Sequence, residues 1–284
     1  MADAHQTKVT NSASDPSSLH GKTALVTGGS RGIGAGIALQ FVRKGVAAIA
    51  ITYATNLKAA EETLSKCRSV SPNLKTAAIQ ADVLDPCVGP KLIPKVLEGL
   101  GTDKIDIVVN NAALVNDLSL MQPFADITAD VFGKTMQGNV FGAMSIINSA
   151  LPHFPPKGGR VINISSIASK MANSDPLLTY GASKAALDSI TRSLASFLSV
   201  KTGATFNSVS VGPTSTDPVK AVAQEFGEAF VEDATKLLTV ERRLAEPEDI
   251  AFVVGFLASD GARWINGSHI PANGGNKELL ALQG

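Results

Sequence analysis

Short apolar runs alternate with longer segments of helical period along almost the whole chain, and this rhythm leaves few folds open. The runs read as buried strands are Thr23–Val26, Val46–Thr52, Thr76–Ala81, Ile105–Val109, Arg160–Ile164, Thr205–Val211 and a short one near His269–Ile270. They are continuous hydrophobic stretches rather than in/out alternations, as expected for parallel strands covered on both faces. Helical segments lie between them at Ile33–Lys44, Leu57–Ser69, Pro90–Leu100, Ala129–Leu151, Ala182–Val200 and Pro247–Ala258. Parallel strands joined by helices need right-handed crossovers, so the expectation is an α/β, Rossmann-type doubly wound sheet of about seven strands in a single domain. Residues 1–20 are polar and read as a flexible N-terminal tail, leaving 21–284 for the domain.

The first strand runs into Thr27-Gly28-Gly29-Ser30-Arg31-Gly32-Ile33-Gly34. Gly28, Gly32 and Gly34 suit a tight strand-to-helix bend, a close approach to a pyrophosphate and close helix–sheet packing. Unpaired N–H groups at the helix start, around Ser30 to Ile33, then face the anion. An NAD site would place an acid at the end of the second strand, but the chain has Tyr53-Ala54-Thr55-Asn56 there and no acid before Glu61. Arg31, Tyr53, Thr55 and Asn56 are therefore expected to favour NADP(H).

Composition narrows the partner. Hydrophobic residues make up 44% of the chain and the formal net charge is +0, with no Lys/Arg-rich run to attract nucleic acid or an anionic membrane. The two cysteines and four histidines have no metal-ligand spacing, so no metal site is expected. No apolar stretch is long enough to span a membrane or to serve as a signal peptide, and a cytoplasmic location is the expectation.

One further pair carries chemistry. Tyr180 is one of two tyrosines, and it stands four residues before Lys184 in Tyr180-Gly-Ala-Ser-Lys184. On a helix these side chains share a face, where an ammonium would lower the phenol's pKa and fit it for proton transfer.

Together these segments resemble the short-chain dehydrogenase/reductase family over about Leu19 to Gly275. Asp82-Val83 is similar to the pair that contacts adenine, and Asn110-Asn111-Ala112-Ala113 to the segment lining the adenosine site. Gln137-Gly138-Asn139-Val140 resembles the helix whose asparagine holds a relay water, and Ile164-Ser165-Ser166 the strand end carrying the catalytic serine. Gly212-Pro213, Thr214 and Thr216-Asp217 resemble the loop over the nicotinamide, which opens a lid at about 213–245. Ala113, Val211 and Asn273 depart from the usual glycine, proline and aspartate, and none of the three is a reacting group.

The resemblance implies that Ser166 orients a carbonyl and Tyr180 gives it a proton. Lys184 would lower the Tyr180 pKa and hold the nicotinamide ribose, and Asn139 would join Lys184 to solvent through water. Gly28, Ser30, Arg31, Gly32, Ile33, Gly34, Tyr53, Thr55, Asn56, Asp82, Val83, Asn110, Ala112, Gly212, Pro213, Thr214 and Thr216 would line the cofactor site with Tyr180 and Lys184. Leu114, Val115, Met171, Leu177, Leu178, Phe226, Phe230 and Leu237 suggest a hydrophobic, ring-shaped ketone, as for naphthol and aromatic-polyketide ketoreductases of secondary metabolism. A 3-oxoacyl thioester reductase, an NAD-linked alcohol dehydrogenase and a catalytically silent NADP-binding scaffold stay open. Two uncharged faces on Ala182–Val200 suggest a homo-oligomer, a tetramer or a dimer.

Overall fold

The computed structural model describes residues 15–114 and 118–280, without the side chains of Leu118, Pro218, Ala221, Val222 and Phe226. Its seven strands are β1 (Thr23–Val26), β2 (Ala48–Tyr53), β3 (Lys75–Gln80), β4 (Ile107–Asn110), β5 (Arg160–Ser166), β6 (Thr205–Val211) and β7 (His269–Ala272). All neighbours are parallel and the order is β3-β2-β1-β4-β5-β6-β7. β1, β4, β5 and β6 are buried along their whole lengths. β1 and β4 read as largely apolar runs for that reason, while β5 and β6 also bury Arg160, Asn163 and Asn207, each with a hydrogen-bond partner inside the fold.

Side chains leave each strand to alternate faces, and the two cores follow that alternation. On one face Val26, Ile51, Val109 and Val209 pack on Ile37 and Phe41 of α1 (Gly32–Arg43), Leu64 of α2 (Leu57–Val70) and Ile250 and Val254 of a C-terminal helix, Pro247–Leu257. On the other, Leu25, Ala50 and Val108 pack on Leu92, Ile93 and Val96 of α3 (Val88–Leu100) and on Ile146.

The segment expected to be one helix, Ala129–Leu151, is interrupted. It comprises α4 (Ala129–Met136), a π turn at Gln137–Phe141 and α5 (Gly142–Ala150). The extra residue in a π turn re-aims its neighbours, and here the buried Asn139 Oδ1 accepts the Leu114 N–H at 2.7 Å. Gly138 permits this approach, since a Cβ there would lie 2.3 Å from Leu114 Cδ1.

The next helix, α6 (Leu178–Thr202), begins four residues before the expected Ala182 and takes Tyr180 into its first turn. The chain between β6 and the C-terminal helix carries α7 (Asp217–Phe226) and α8 (Glu228–Thr235). This excursion leaves and returns at one point, where Ala245 N–H donates to Pro213 O at 2.8 Å and Ser215 N–H to Ala245 O at 2.7 Å.

The N-terminal tail needs a new boundary. Residues 1–14 lie outside the described residues, but residues 15–20 are docked on the domain. Leu19 is fully buried, its N–H donates to Lys44 O at 2.8 Å, and Pro16 O accepts from Gly261 N–H at 2.7 Å. A lone leucine in a polar run gave no periodic signal from which to expect this.

Candidate active site

The strand order reverses between β1 and β4, and the two crossovers diverge there to leave a crevice beyond the strand ends. A cavity of about 660 Å³ fills it. One end is the glycine turn. Gly28 and Gly32 have φ of 61° and 54°, a region that side chains disfavour. Gly34 is held for packing, because a Cβ there would lie 2.3 Å from Gly28 O. The turn is fastened to its neighbours, with Gly28 N–H donating to Thr52 Oγ1 at 2.9 Å and Asn111 Nδ2 to Thr27 O at 2.9 Å and Gly28 O at 3.1 Å. Thr27 Oγ1 in turn accepts the N–H groups of Asn111 and Ala112, both at 3.0 Å.

α1 opens on this cavity with no side-chain cap and no acid in its first turn. Its N-terminal N–H groups and the exposed Arg31 therefore present positive potential beside Ser30, Gly32 and Ile33. Tyr53 and Ala54 line the β2 side, with Asp82 and Val83 next to them. An uncapped helix end, a cradle too tight for side chains and a large crevice together fit a dinucleotide.

The other end of the cavity is lined by Leu114, Ile167, Met171 and Leu177, with Ser166, Tyr180 and Lys184 at its floor. Ser166 ends β5, accepts the Ala168 N–H at 3.1 Å and lines the cavity together with Tyr180. Burial pushes the Tyr180 phenol above its ordinary value, and the Ser166 hydroxyl offsets only part of that rise. Lys184 is 3% exposed, and its Nζ donates to Ile164 O at 2.8 Å and sits 5.7 Å from the Tyr180 ring centroid. Burial brings its ammonium down to about 8, against a partial lift from Asp188. Asn139 Nδ2 donates to Ser183 Oγ at 3.1 Å, and that hydroxyl donates to Tyr180 O at 2.7 Å.

Residues 28–277 match the family profile described as Enoyl-(Acyl carrier protein) reductase. The chain belongs to the short-chain dehydrogenase/reductase family. It is 52% identical over 265 residues to the short chain dehydrogenase asqE of Emericella nidulans, covering 93% of this chain and 97% of the relative. To the hydroxynaphthalene reductase arp2 of Aspergillus fumigatus it is 36% identical over 260 residues, 88% of this chain and 90% of the relative. A solved short-chain dehydrogenase from Burkholderia cenocepacia in complex with NADP superposes with a TM-score of 0.79 at 32% identity, covering 91% of this chain and 98% of that one.

Within this short-chain dehydrogenase/reductase, most of the residues expected at the site converge on the cavity. Gly28, Ser30, Arg31, Gly32, Ile33, Tyr53, Asp82, Val83, Ala112, Ser166, Tyr180, Lys184, Gly212, Pro213, Thr214 and Thr216 all line it.

Several do not. Asn56 Oδ1 caps α2 by accepting the Ala59 N–H at 2.9 Å, and neither it nor Thr55 lines the cavity. Asn110 points into the sheet, its Nδ2 donating to Asn163 Oδ1 at 2.8 Å, while Asn111 takes the cavity position. Strand alternation separates the two asparagines, and the end of β4 is what decides which faces the crevice. The side chain of Asn139 does not line the cavity, and burial raises the Tyr180 phenol where the helical spacing alone predicts a fall. Leu178, Phe230 and Leu237 are not among the lining residues. Val115 and the Phe226 side chain lie outside the described residues. Asn111 belongs to the segment expected at the adenosine site, whereas the bracing roles of Thr27 and Thr52 gave no sequence signal.

Proposed function

We propose that this protein reduces a hydrophobic, aromatic-type ketone to an alcohol with NADPH. The observation that carries the reading is the convergence of Ser166, Tyr180 and Lys184 on the apolar end of a crevice whose other end is built for a dinucleotide. Arg31 at the crevice, with no acid at the end of β2, favours a 2′-phosphate over a free 2′-hydroxyl. A reductase acting on hydroxynaphthalenes among the relatives supports an aromatic substrate.

When bound, NADPH supplies the hydride. Charge then grows on the carbonyl oxygen, where Ser166 donates a hydrogen bond and the Tyr180 hydroxyl delivers a proton. A phenol held above its ordinary pKa stays protonated at neutral pH, which suits a donor. Lys184 would hold the ribose hydroxyls and keep a positive charge beside the phenolate that forms. Asn139 fixes Leu114 N and the Ser183 hydroxyl, which bonds the Tyr180 carbonyl. Leu114, Met171 and Leu177 bind the apolar body of the substrate and keep water from the reacting carbon.

A catalytically silent NADP-binding scaffold would not need Ser166, Tyr180 and Lys184 gathered on one apolar pocket. NADPH oxidation against a panel of bicyclic aromatic ketones and 3-oxoacyl thioesters tests the reading. Turnover on the aromatic members supports it, preference for thioesters reassigns the substrate, and binding of NADPH without turnover on any ketone overturns it. We further infer a homo-oligomer from Phe197 and Val200, apolar side chains that stand 53% and 92% exposed on α6. Sedimentation as a monomer at micromolar concentration would contradict that.

A further inference from the structure

Behind the proposed proton donor lies a second ionisable group that its chemistry has not yet used. Asp188 follows Lys184 by one turn of α6 and is 3% exposed. A carboxylate so buried needs compensation. His269, on the neighbouring β7, brings Nε2 to 3.0 Å from Asp188 Oδ2, and Ser169 Oγ is 3.4 Å from the same nitrogen. Burial alone would raise the Asp188 carboxyl, but polar hydrogens of His269, Ser169 and Ser165 bring it below its ordinary value, so it is an anion at neutral pH. The other charged neighbour of the carboxylate is Lys184, one turn back on the same face of α6.

We propose that Asp188, braced by His269, keeps Lys184 in its charged form and so acts as a positioning residue for proton transfer at Tyr180. The inference rests on the carbonyl-reductase reading of the site. The titratable groups that face Asp188 are Lys184 on its own helix and His269 from β7, while the end of β5 and the turn after it contribute only the hydroxyls of Ser165 and Ser169. Lys184 also faces Tyr180. Without Asp188 only the bond to Ile164 O opposes the desolvation that drives the Lys184 proton off, and the ammonium would be lost at lower pH.

Two readouts test this on the full chain. The first is the pH profile of kcat/KM for ketone reduction. The second is the titration midpoint of Lys184 by NMR of 13C-labelled lysine, assigned with Lys184→Met, which requires no turnover. In Asp188→Asn both the alkaline limb and the Lys184 midpoint should move to lower pH by about one unit. Asp188→Glu should restore most of the shift, and His269→Leu should move both in the same direction by less. A merely structural Asp188 would lower folded yield or kcat and leave both midpoints in place, and that result overturns the proposal. If Asp188→Asn does not fold, His269→Leu decides between the same outcomes. Should the wild type reduce no ketone, the reductase reading fails while the NMR titration still decides whether Asp188 controls Lys184.

Discussion

Lys184 Nζ lies 5.7 Å from the centroid of the Tyr180 ring and donates to Ile164 O at 2.8 Å. The ammonium is thus held over the ring and tied to the end of β5, two residues before Ser166. α6 and β5 bring the three side chains together.

The buried ammonium has a signature in stability. Burial brings Lys184 down to about 8 from 10.5, so the folded protein releases this proton before the unfolded chain does. Between those two values the unfolded state binds more protons, and stability rises with pH. The difference in unfolding free energy between wild type and Lys184→Met should therefore climb across that window, by about 3 kcal/mol if the whole shift is realised. Urea unfolding at a series of pH values measures it, and a flat or falling difference contradicts the burial argument.

Arg31 should determine cofactor preference. Arg31→Ala removes the cation available to a 2′-phosphate, and the NADPH dissociation constant should rise roughly tenfold while that for NADH stays put. Fluorescence titration with both nucleotides checks this. An unchanged ratio removes Arg31 from the assignment.

Gly34 should resist even a methyl group. A Cβ at that position would meet Gly28 O at 2.3 Å and Asn111 Nδ2 at 2.6 Å, neither of which is the free end of a flexible chain. Gly34→Ala should cost about 1–3 kcal/mol of unfolding free energy and weaken nucleotide binding, since the turn and its brace must separate. Wild-type stability and affinity in this variant would show that the turn is not packed as described.

Much of this was legible because the strands are buried on both faces. Thr23–Val26 and Thr205–Val211 are unbroken buried runs, and their predicted ends coincide with β1 and β6. What escaped depended on contacts distant in sequence. Nothing in Gln137–Phe141 distinguishes a π turn from an α-helix until Asn139 is seen bonding the Leu114 N–H. Asn56 offered a donor to a phosphate and an acceptor to its own helix, and the local cap won. The Tyr180 pKa went the other way from the spacing argument because a four-residue separation encodes proximity to a cation but not burial. His269 looked unattached in the sequence, and only the pairing of β7 with β6 delivers it to Asp188.

The central claim is that the Tyr180 hydroxyl gives the proton to a ketone bound beside NADPH. Single-turnover NADPH oxidation by wild type and Tyr180→Phe, with the best ketone of the panel, tests it most directly. The variant should lose roughly a hundred- to ten-thousand-fold in rate while its NADPH dissociation constant changes little. Oxidation at the wild-type rate in Tyr180→Phe would contradict the account.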